Sequence, residues 1–136
     1  MVAAVKRGKG GSLKESEVQR LILEYLATRG DVWVWRSQST GIYNPSTSTW
    51  LKMRGVGRIQ GVSDILGILG SPDIVDGKQI GCGRFLAIEV KSRYGKPTPE
   101  QQHFLLQINN RGGVGFIARS VEDVIAGLAS AQPEWV

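Results

Sequence analysis

A chain of 136 residues with 41% hydrophobic and 21% charged residues has the composition of a globular protein. Its length suits one domain with a hydrophobic core and is too short for two domains of ordinary size. Its single cysteine excludes an internal disulfide and a multi-thiolate metal site, and no apolar run is long enough to cross a bilayer. Lys and Arg number 17 against 12 Asp and Glu, and this net charge of +5 suits a polyanion such as nucleic acid, with a solvated basic face as the alternative.

The N-terminal segment, residues 1–11, carries basic side chains and no acidic one, and it lacks the apolar core of a signal peptide. We expect it to be a flexible basic arm of a cytoplasmic protein. The periodic segments that follow lie within residues 12–130, which we interpret as a single domain, and residues 131–136 form a tail.

The first helix is predicted from apolar side chains that recur at helical spacing from Val18 onward, and Gly30 is expected to end it. Ser12 and Glu15 have the spacing of a capping box. Glu15 also precedes Val18 by three residues, which predicts a place on the buried stripe. A cap and a functional carboxylate therefore both remain open for Glu15.

The segment VWVWR at 32–36 predicts a short strand with Arg36 at its end. Alternation puts Val32 and Val34 on the face of Arg36, and Trp33 and Trp35 on the other face. At this spacing the tryptophans are expected in the core rather than on a platform that stacks on bases.

Residues 37–60 are rich in Gly, Ser and Thr and predict a long loop without a regular period. From 32 to 63 the chain has no acidic residue, and its only basic residues there are Arg36, Lys52, Arg54 and Arg58. Because aromatic residues alternate with these charges, we expect the segment to grip a phosphate backbone and to stack on bases.

Two apolar runs, Ile65–Leu69 and Phe85–Val90, predict an antiparallel pair of strands. In such a pair the start of one strand lies opposite the end of the next, so Asp64 is expected beside Glu89. Asp73 belongs to the connecting turn and would lie about 15 Å away, at roughly 3.3 Å per residue. The sequence therefore favours Asp64 as the second carboxylate.

Glu89 and Lys91 share a face at the end of the second of these strands. Charged groups in such a place are costly to bury, so they are usually paired, bound to a metal or catalytic. A surface ion pair at a fraying strand end is the alternative.

Pro97 and Pro99 frame the start of a further helix, on which Gln101 is expected to face the sheet. A final strand, Val114–Ala118, and a final helix, Val121–Leu128, complete the predicted order α–β–β–β–α–β–α. This order predicts an α/β fold with a mixed central sheet of about four strands flanked by helices.

The motifs GVSD at 61–64, IEVK at 88–91 and GKPTPEQ at 95–101 resemble those of the PD-(D/E)XK nuclease superfamily, most closely its VRR-NUC branch of virus-type replication-repair nucleases. The resemblance covers nearly all of residues 15–127. It departs from the family at Ser63, where the family usually has proline. The fold that it implies is the restriction-endonuclease-like core.

Asp64 and Glu89 offer hard oxygen ligands, which suit Mg²⁺ or Mn²⁺. The resemblance implies that the backbone carbonyl of Val90 joins them, that Lys91 orients the attacking water or stabilises the phosphate, and that Gln101 helps to position it. It also assigns the first-helix glutamate to Glu15 and a phosphate contact to Arg36, for which a surface arginine is the alternative.

The implied function is that of a metal-dependent endonuclease that hydrolyses phosphodiester bonds in branched or structured DNA, such as a four-way junction. The resemblance further implies a homodimer, encoded by a phage or its bacterial host, and Trp50, Leu51 and Met53 are candidate interface residues. A nucleic-acid-binding module without catalysis and a sequence-specific, restriction-type nuclease are the alternatives.

Overall fold

The computed structural model describes residues 11–37, 42–51, 58–70, 74–79 and 81–131. Across these ranges, no helix has both the length and the apolar character required to cross a membrane. The three helices are α1 (Glu15–Leu26), α2 (Pro99–Asn110) and α3 (Val121–Ser130). The strands are β1 (Val32–Arg36), β2 (Ile42–Asn44), β3 (Thr49–Leu51), β4 (Ile65–Leu69), β5 (Ile74–Val75), β6 (Lys78–Gln79), β7 (Arg84–Val90) and β8 (Val114–Ala118).

The central sheet has four strands in the order β1-β4-β7-β8. The pairs β1–β4 and β4–β7 are antiparallel, whereas β7–β8 is parallel, and α2 lies in the crossover that a parallel pair requires. The predicted α/β fold with a mixed sheet and flanking helices is therefore confirmed, and it is compatible with a restriction-endonuclease-like core. The connections predicted as loop and turn contain two additional hairpins, β2–β3 and β5–β6.

The core lies on both faces of the sheet, which explains why β7 is apolar along most of its length. On one face Leu86, Ile88 and Val90 pack in the cluster that includes the buried residues of α1 and α3. On the other face Ala87 packs against Phe104 and Leu105 of α2. The alternation predicted for this strand is confirmed.

The predicted capping box at the start of α1 is wrong. The N-cap residue is Lys14, whose backbone is extended and whose side chain makes no capping hydrogen bond. Leu13 forms a β-bridge and packs against the core, so the chain stays extended past Ser12 and the helix begins only at Glu15. The helix also ends at Leu26, before Gly30 is reached.

The predicted burial of Glu15 is wrong as well, because Glu15 is exposed and Glu17 is buried instead. Glu15 is the first residue of α1, so no preceding turn covers its side chain, which leans toward the N-terminus. Glu17 accepts hydrogen bonds from Nε and Nη2 of Arg20, at 3.1 and 3.0 Å, and this pairing compensates its burial.

The prediction that Trp33 and Trp35 enter the core is also wrong. Trp33 is 70% exposed and Trp35 is 41% exposed. They lie on β1, which is an edge strand of the sheet. The helix that covers this face of the sheet, α2, packs on β7 and β8, at the opposite side of the sheet from β1. The two rings contact each other edge to face, with centroids 5.6 Å apart.

Candidate active site

The antiparallel pairing of β4 and β7 brings two carboxylates together. Ile65 is in register with Ile88, so Asp64, which precedes Ile65, lies beside Glu89 at the end of β7. The backbone carbonyl of Asp64 accepts a hydrogen bond from Ser37 N at 2.8 Å, which fixes the chain just before β4. The predicted pairing is confirmed, whereas Asp73, the rejected alternative, lies outside the described residues.

The side chain of Asp64 is held by the neighbouring strand. Its Oδ2 accepts a hydrogen bond from the backbone N–H of Val90, at 2.9 Å. Because the donor is main chain, the position of this carboxylate depends on the sheet rather than on another side chain.

Glu89 is almost completely buried, with 1% of its surface exposed. Its Oε1 lies 3.5 Å from Nζ of Lys91, which is itself buried. Its Oε2 is buried and has no hydrogen-bond partner among the described residues. A buried carboxylate with an unpaired oxygen is costly, so this atom calls for a proton or a cation.

The pKa of Glu89 reflects this environment. Burial and the adjacent carboxyl group of Asp64 raise the pKa of Glu89 to about 8. The ammonium group of Lys91 lowers this pKa, but its effect is smaller than the combined effect of burial and Asp64. The metal-free site therefore holds a proton on Glu89 at neutral pH. A divalent cation would compete with that proton.

The donor set fits a hard divalent cation. Asp64, Glu89 and the carbonyl of Val90 would supply only oxygen ligands, as Mg²⁺ and Mn²⁺ prefer, and the unpaired Oε2 of Glu89 is one of them. In the part of the chain that the structure describes, no three His, Cys, Asp or Glu side chains are grouped as metal ligands. Water would therefore complete the coordination, as is usual for Mg²⁺.

Glu15, at the start of α1, lies within the electrostatic reach of the site. Partial burial of its carboxyl group raises its pKa, Lys91 lowers it, and Asp64 raises it. The structure thus brings Glu15 near Asp64 and Lys91, although not in the buried position predicted for it. Glu17 is paired with Arg20 instead.

Gln101 is half-buried and Gln102 is exposed, in agreement with the predicted helix face. The structure gives Gln101 a further role, since it forms a capping box with Thr98. Gln101 Oε1 accepts from Thr98 N at 2.9 Å, and Gln101 N donates to Thr98 Oγ1 at 3.1 Å. The side-chain oxygen of Gln101 and its backbone N–H are therefore both used at the helix terminus. This leaves the side-chain Nε2 of Gln101 to donate to a ligand.

At Gly61 the segment that leads to Asp64 packs closely against the first turn of α2. Its φ is +73°, and a Cβ at this position would lie 2.6 Å from Gln101 N and would also overlap the backbone of Glu100. Only glycine fits both the backbone conformation and the close approach.

Sequence reasoning missed Arg119, which follows β8. Its Nη1 donates to the backbone carbonyls of Ser92 at 2.7 Å and Gly95 at 2.6 Å, within the segment that connects Lys91 to α2. Parallel pairing of β7 and β8 puts their carboxyl ends at one edge, which is the signal that could have identified this contact.

The predicted phosphate-binding residues are distributed over different parts of the chain. Arg36 is in register with Ile65 and lines a shallow depression beside α1, so it lies on the sheet face opposite to that of Asp64 and Glu89. Arg58 is exposed. Lys52 and Arg54 lie outside the described residues.

Comparisons with known proteins gave no match to a family model, to a curated protein or to a solved structure. The class that the structure defines is that of an α/β domain with a mixed four-stranded sheet and a cluster of Asp64, Glu89 and Lys91 at one edge.

Proposed function

We propose that this protein is a divalent-metal-dependent endonuclease that hydrolyses phosphodiester bonds in DNA. The observation that carries the proposal is the buried Oε2 of Glu89, which has no hydrogen-bond partner among the described residues. The carboxyl group of Glu89 lies beside that of Asp64, and its other oxygen, Oε1, is 3.5 Å from Nζ of Lys91. Buried carboxylate oxygens usually have a partner, and two adjacent carboxyl groups with one such oxygen unpaired are a ligand set that a hard divalent ion would complete. Asp64, Glu89 and the carbonyl of Val90 would hold Mg²⁺ or Mn²⁺.

A bound divalent ion would lower the pKa of an attacking water and neutralise charge that develops on the scissile phosphate. Lys91 is assigned the orientation of this water or the stabilisation of the phosphate, because its ammonium group is held at the site by Glu89. Glu15 adds a carboxylate at the rim of the site, and the amide of Gln101 helps to position the phosphate.

Branched or structured DNA, such as a four-way junction, is the proposed substrate. The net charge of +5 favours a polyanion, and Arg36, Lys52, Arg54 and Arg58 are the proposed phosphate contacts. We further propose a homodimer with two-fold symmetry. Its two sites would be related by the same two-fold symmetry as the two strands that are cut in a four-way junction. The cytoplasm of a bacterium, with the gene carried by a phage or its host, is the proposed setting.

Two measurements on the same protein test this proposal. Calorimetric titration with Mn²⁺ should show binding that is lost in Glu89→Gln, and supercoiled plasmid should be nicked by the wild type in Mn²⁺ but not by that variant. Glu122→Gln, an exposed carboxylate on α3, is the matched control and should behave as the wild type. Equal nicking by Glu89→Gln and the wild type would overturn the proposal.

A nucleic-acid-binding module without catalysis is the second candidate. It is favoured by the small number of carboxylates, because no third acidic side chain completes a metal-binding group among the described residues. DNA binding by a wild-type protein that binds no Mn²⁺ would select this candidate.

A further inference from the structure

Four large apolar side chains are exposed on one face of the central sheet. Trp33 and Trp35 of β1 are 70% and 41% exposed, Ile68 of β4 is 38% exposed, and Phe85 of β7 is 42% exposed. Trp33 is in register with Ile68, and Ile68 is in register with Phe85, so three of them form a row across three strands. We refer to these four residues as the aromatic platform.

The aromatic platform lies on the same sheet face as the candidate active site. Trp35 is in register with Leu66, which is two residues from Asp64 and shares its face. Along the strand direction, Trp35 is therefore one step of about 7 Å from the carboxylates, and the row of Trp33, Ile68 and Phe85 is two such steps away, or about 14 Å. α2 packs over the adjoining part of this face, where Ala87 contacts Phe104 and Leu105.

The chemistry of the platform suits flat, apolar ligands. The rings of Trp33 and Trp35 contact each other edge to face, at 65° with centroids 5.6 Å apart, and the ring of Trp33 remains largely exposed. An exposed apolar patch of this kind is a common mark of a binding surface. Every nucleobase has a flat face that stacks on an aromatic side chain, whatever its sequence.

We propose that the aromatic platform stacks the unpaired bases of a single-stranded DNA segment next to the bond that is cut. This inference rests on the proposed function and specifies its substrate, which must carry an unpaired segment at the site. Charge complementarity favours DNA as the occupant, because the chain carries a net charge of +5 and DNA is a polyanion. A second copy seated on the platform would also stand beside Asp64 and Glu89 and obstruct access to them.

Binding without cleavage tests the platform. In EDTA, the anisotropy of fluorescein-labelled oligothymidylate and of a labelled duplex of equal length is measured against protein concentration. Trp33→Ala should weaken oligothymidylate binding about tenfold and lower the ratio of oligothymidylate affinity to duplex affinity. Trp33→Phe should keep most of that ratio, because it keeps an aromatic face. Ile125→Ala, an exposed apolar residue on α3, is the control and should bind as the wild type.

An unchanged affinity ratio in Trp33→Ala would overturn the proposal, and so would an equal loss in Ile125→Ala. Light scattering that gives a dimer for the wild type and a monomer for Trp33→Ala would also overturn it, since the platform would then be an interface between copies. The test is independent of cleavage. If the wild type nicks plasmid DNA while the ratio does not change, the platform fails and the nuclease stands. If the ratio falls while no DNA is cut, the platform stands and the nuclease fails.

Discussion

The backbone N–H of Val90 donates a hydrogen bond to Oδ2 of Asp64 at 2.9 Å. One carboxylate of the candidate site is therefore tied to the strand that carries the other, directly after Glu89. The distance between Asp64 and Glu89 is thus set by the pairing of β4 with β7. Folding of these two strands is therefore enough to bring the two carboxylates together.

Asp64→Asn should separate the structural role of Asp64 from its chemical role. The Asn side-chain oxygen can still accept from Val90 N, so the stability loss should be smaller than the loss of about 1 kcal/mol expected for Asp64→Ala. Nicking of plasmid DNA should nevertheless be abolished, because an amide is a poor ligand for Mg²⁺. DNA affinity should stay within a few-fold of the wild type. Full activity in Asp64→Asn, with loss only in Asp73→Ala, would show that Asp73 is the second carboxylate.

The raised pKa of Glu89 predicts how the stability of the metal-free protein depends on pH. The folded state keeps a proton up to about pH 8, whereas the unfolded chain releases it near the ordinary value of 4.5. The folded state then binds more protons, so the free energy of unfolding should fall as pH rises through this window, by no more than about 1.4 kcal/mol per pH unit.

Urea denaturation in EDTA at several pH values measures this slope, and Glu89→Gln is the matched variant because its side chain cannot ionise. The difference in unfolding free energy between wild type and Glu89→Gln should change with pH in favour of the variant. A difference that is constant across the window would contradict the buried, protonated state of Glu89. Added Mn²⁺ should stabilise the wild type most at high pH, where it competes with fewer protons.

Gly61→Ala should destabilise the protein more than an alanine at another glycine of the same backbone conformation. Gly61 and Gly112 both have positive φ, but a Cβ at Gly112 would meet nothing within 4 Å, whereas at Gly61 it would overlap the start of α2. Gly112→Ala should therefore cost about 1 kcal/mol, from the backbone alone, and Gly61→Ala about 3 kcal/mol. Equal midpoints in thermal unfolding would show that the segment before Asp64 is not held against α2.

The basic residues within 37–60 should contact the DNA backbone without selecting a base sequence. Neutralising Lys52, Arg54 and Arg58 together should weaken binding alike for all sequences and reduce the slope of log affinity against log salt by about three at most. Arg58→Gln alone, compared with Arg111→Gln at the far end of α2, is the matched single-charge test. The same salt slope in the triple variant and the wild type would exclude the segment from the DNA interface.

The proposed homodimer predicts a preference for symmetric substrates. Light scattering of the dilute protein should give twice the chain mass, and a four-way junction should be cut in preference to a linear duplex of the same sequence. Of the candidate interface residues, Trp50 and Leu51 belong to β3, and Met53 lies outside the described residues. A monomer mass together with equal cutting of both substrates would remove the basis for the dimer.

Local patterns in the sequence determined the elements that hold the site. The strand Val114–Ala118 begins and ends where its pattern predicts, and α2 begins at Pro99, within the start that Pro97 and Pro99 were predicted to frame. The neighbouring positions of Asp64 and Glu89 also followed from sequence, because two apolar strands joined by a segment rich in turn residues, with no helix between them, favour an antiparallel pair. Each of these features lies within one element or in the pairing of two strands that follow each other in the predicted order.

Only the tertiary structure decided which faces are covered. Trp33 and Trp35 have the pattern of a core strand, yet they are exposed because β1 is at the edge of the sheet and α2 packs over β7 and β8. Likewise, the contact of Arg119 with the carbonyls after Lys91 joins residues 24 to 27 positions apart, through the parallel pairing of their strands. Local periodicity assigns a side chain to a face, but the burial of that face depends on where distant helices pack.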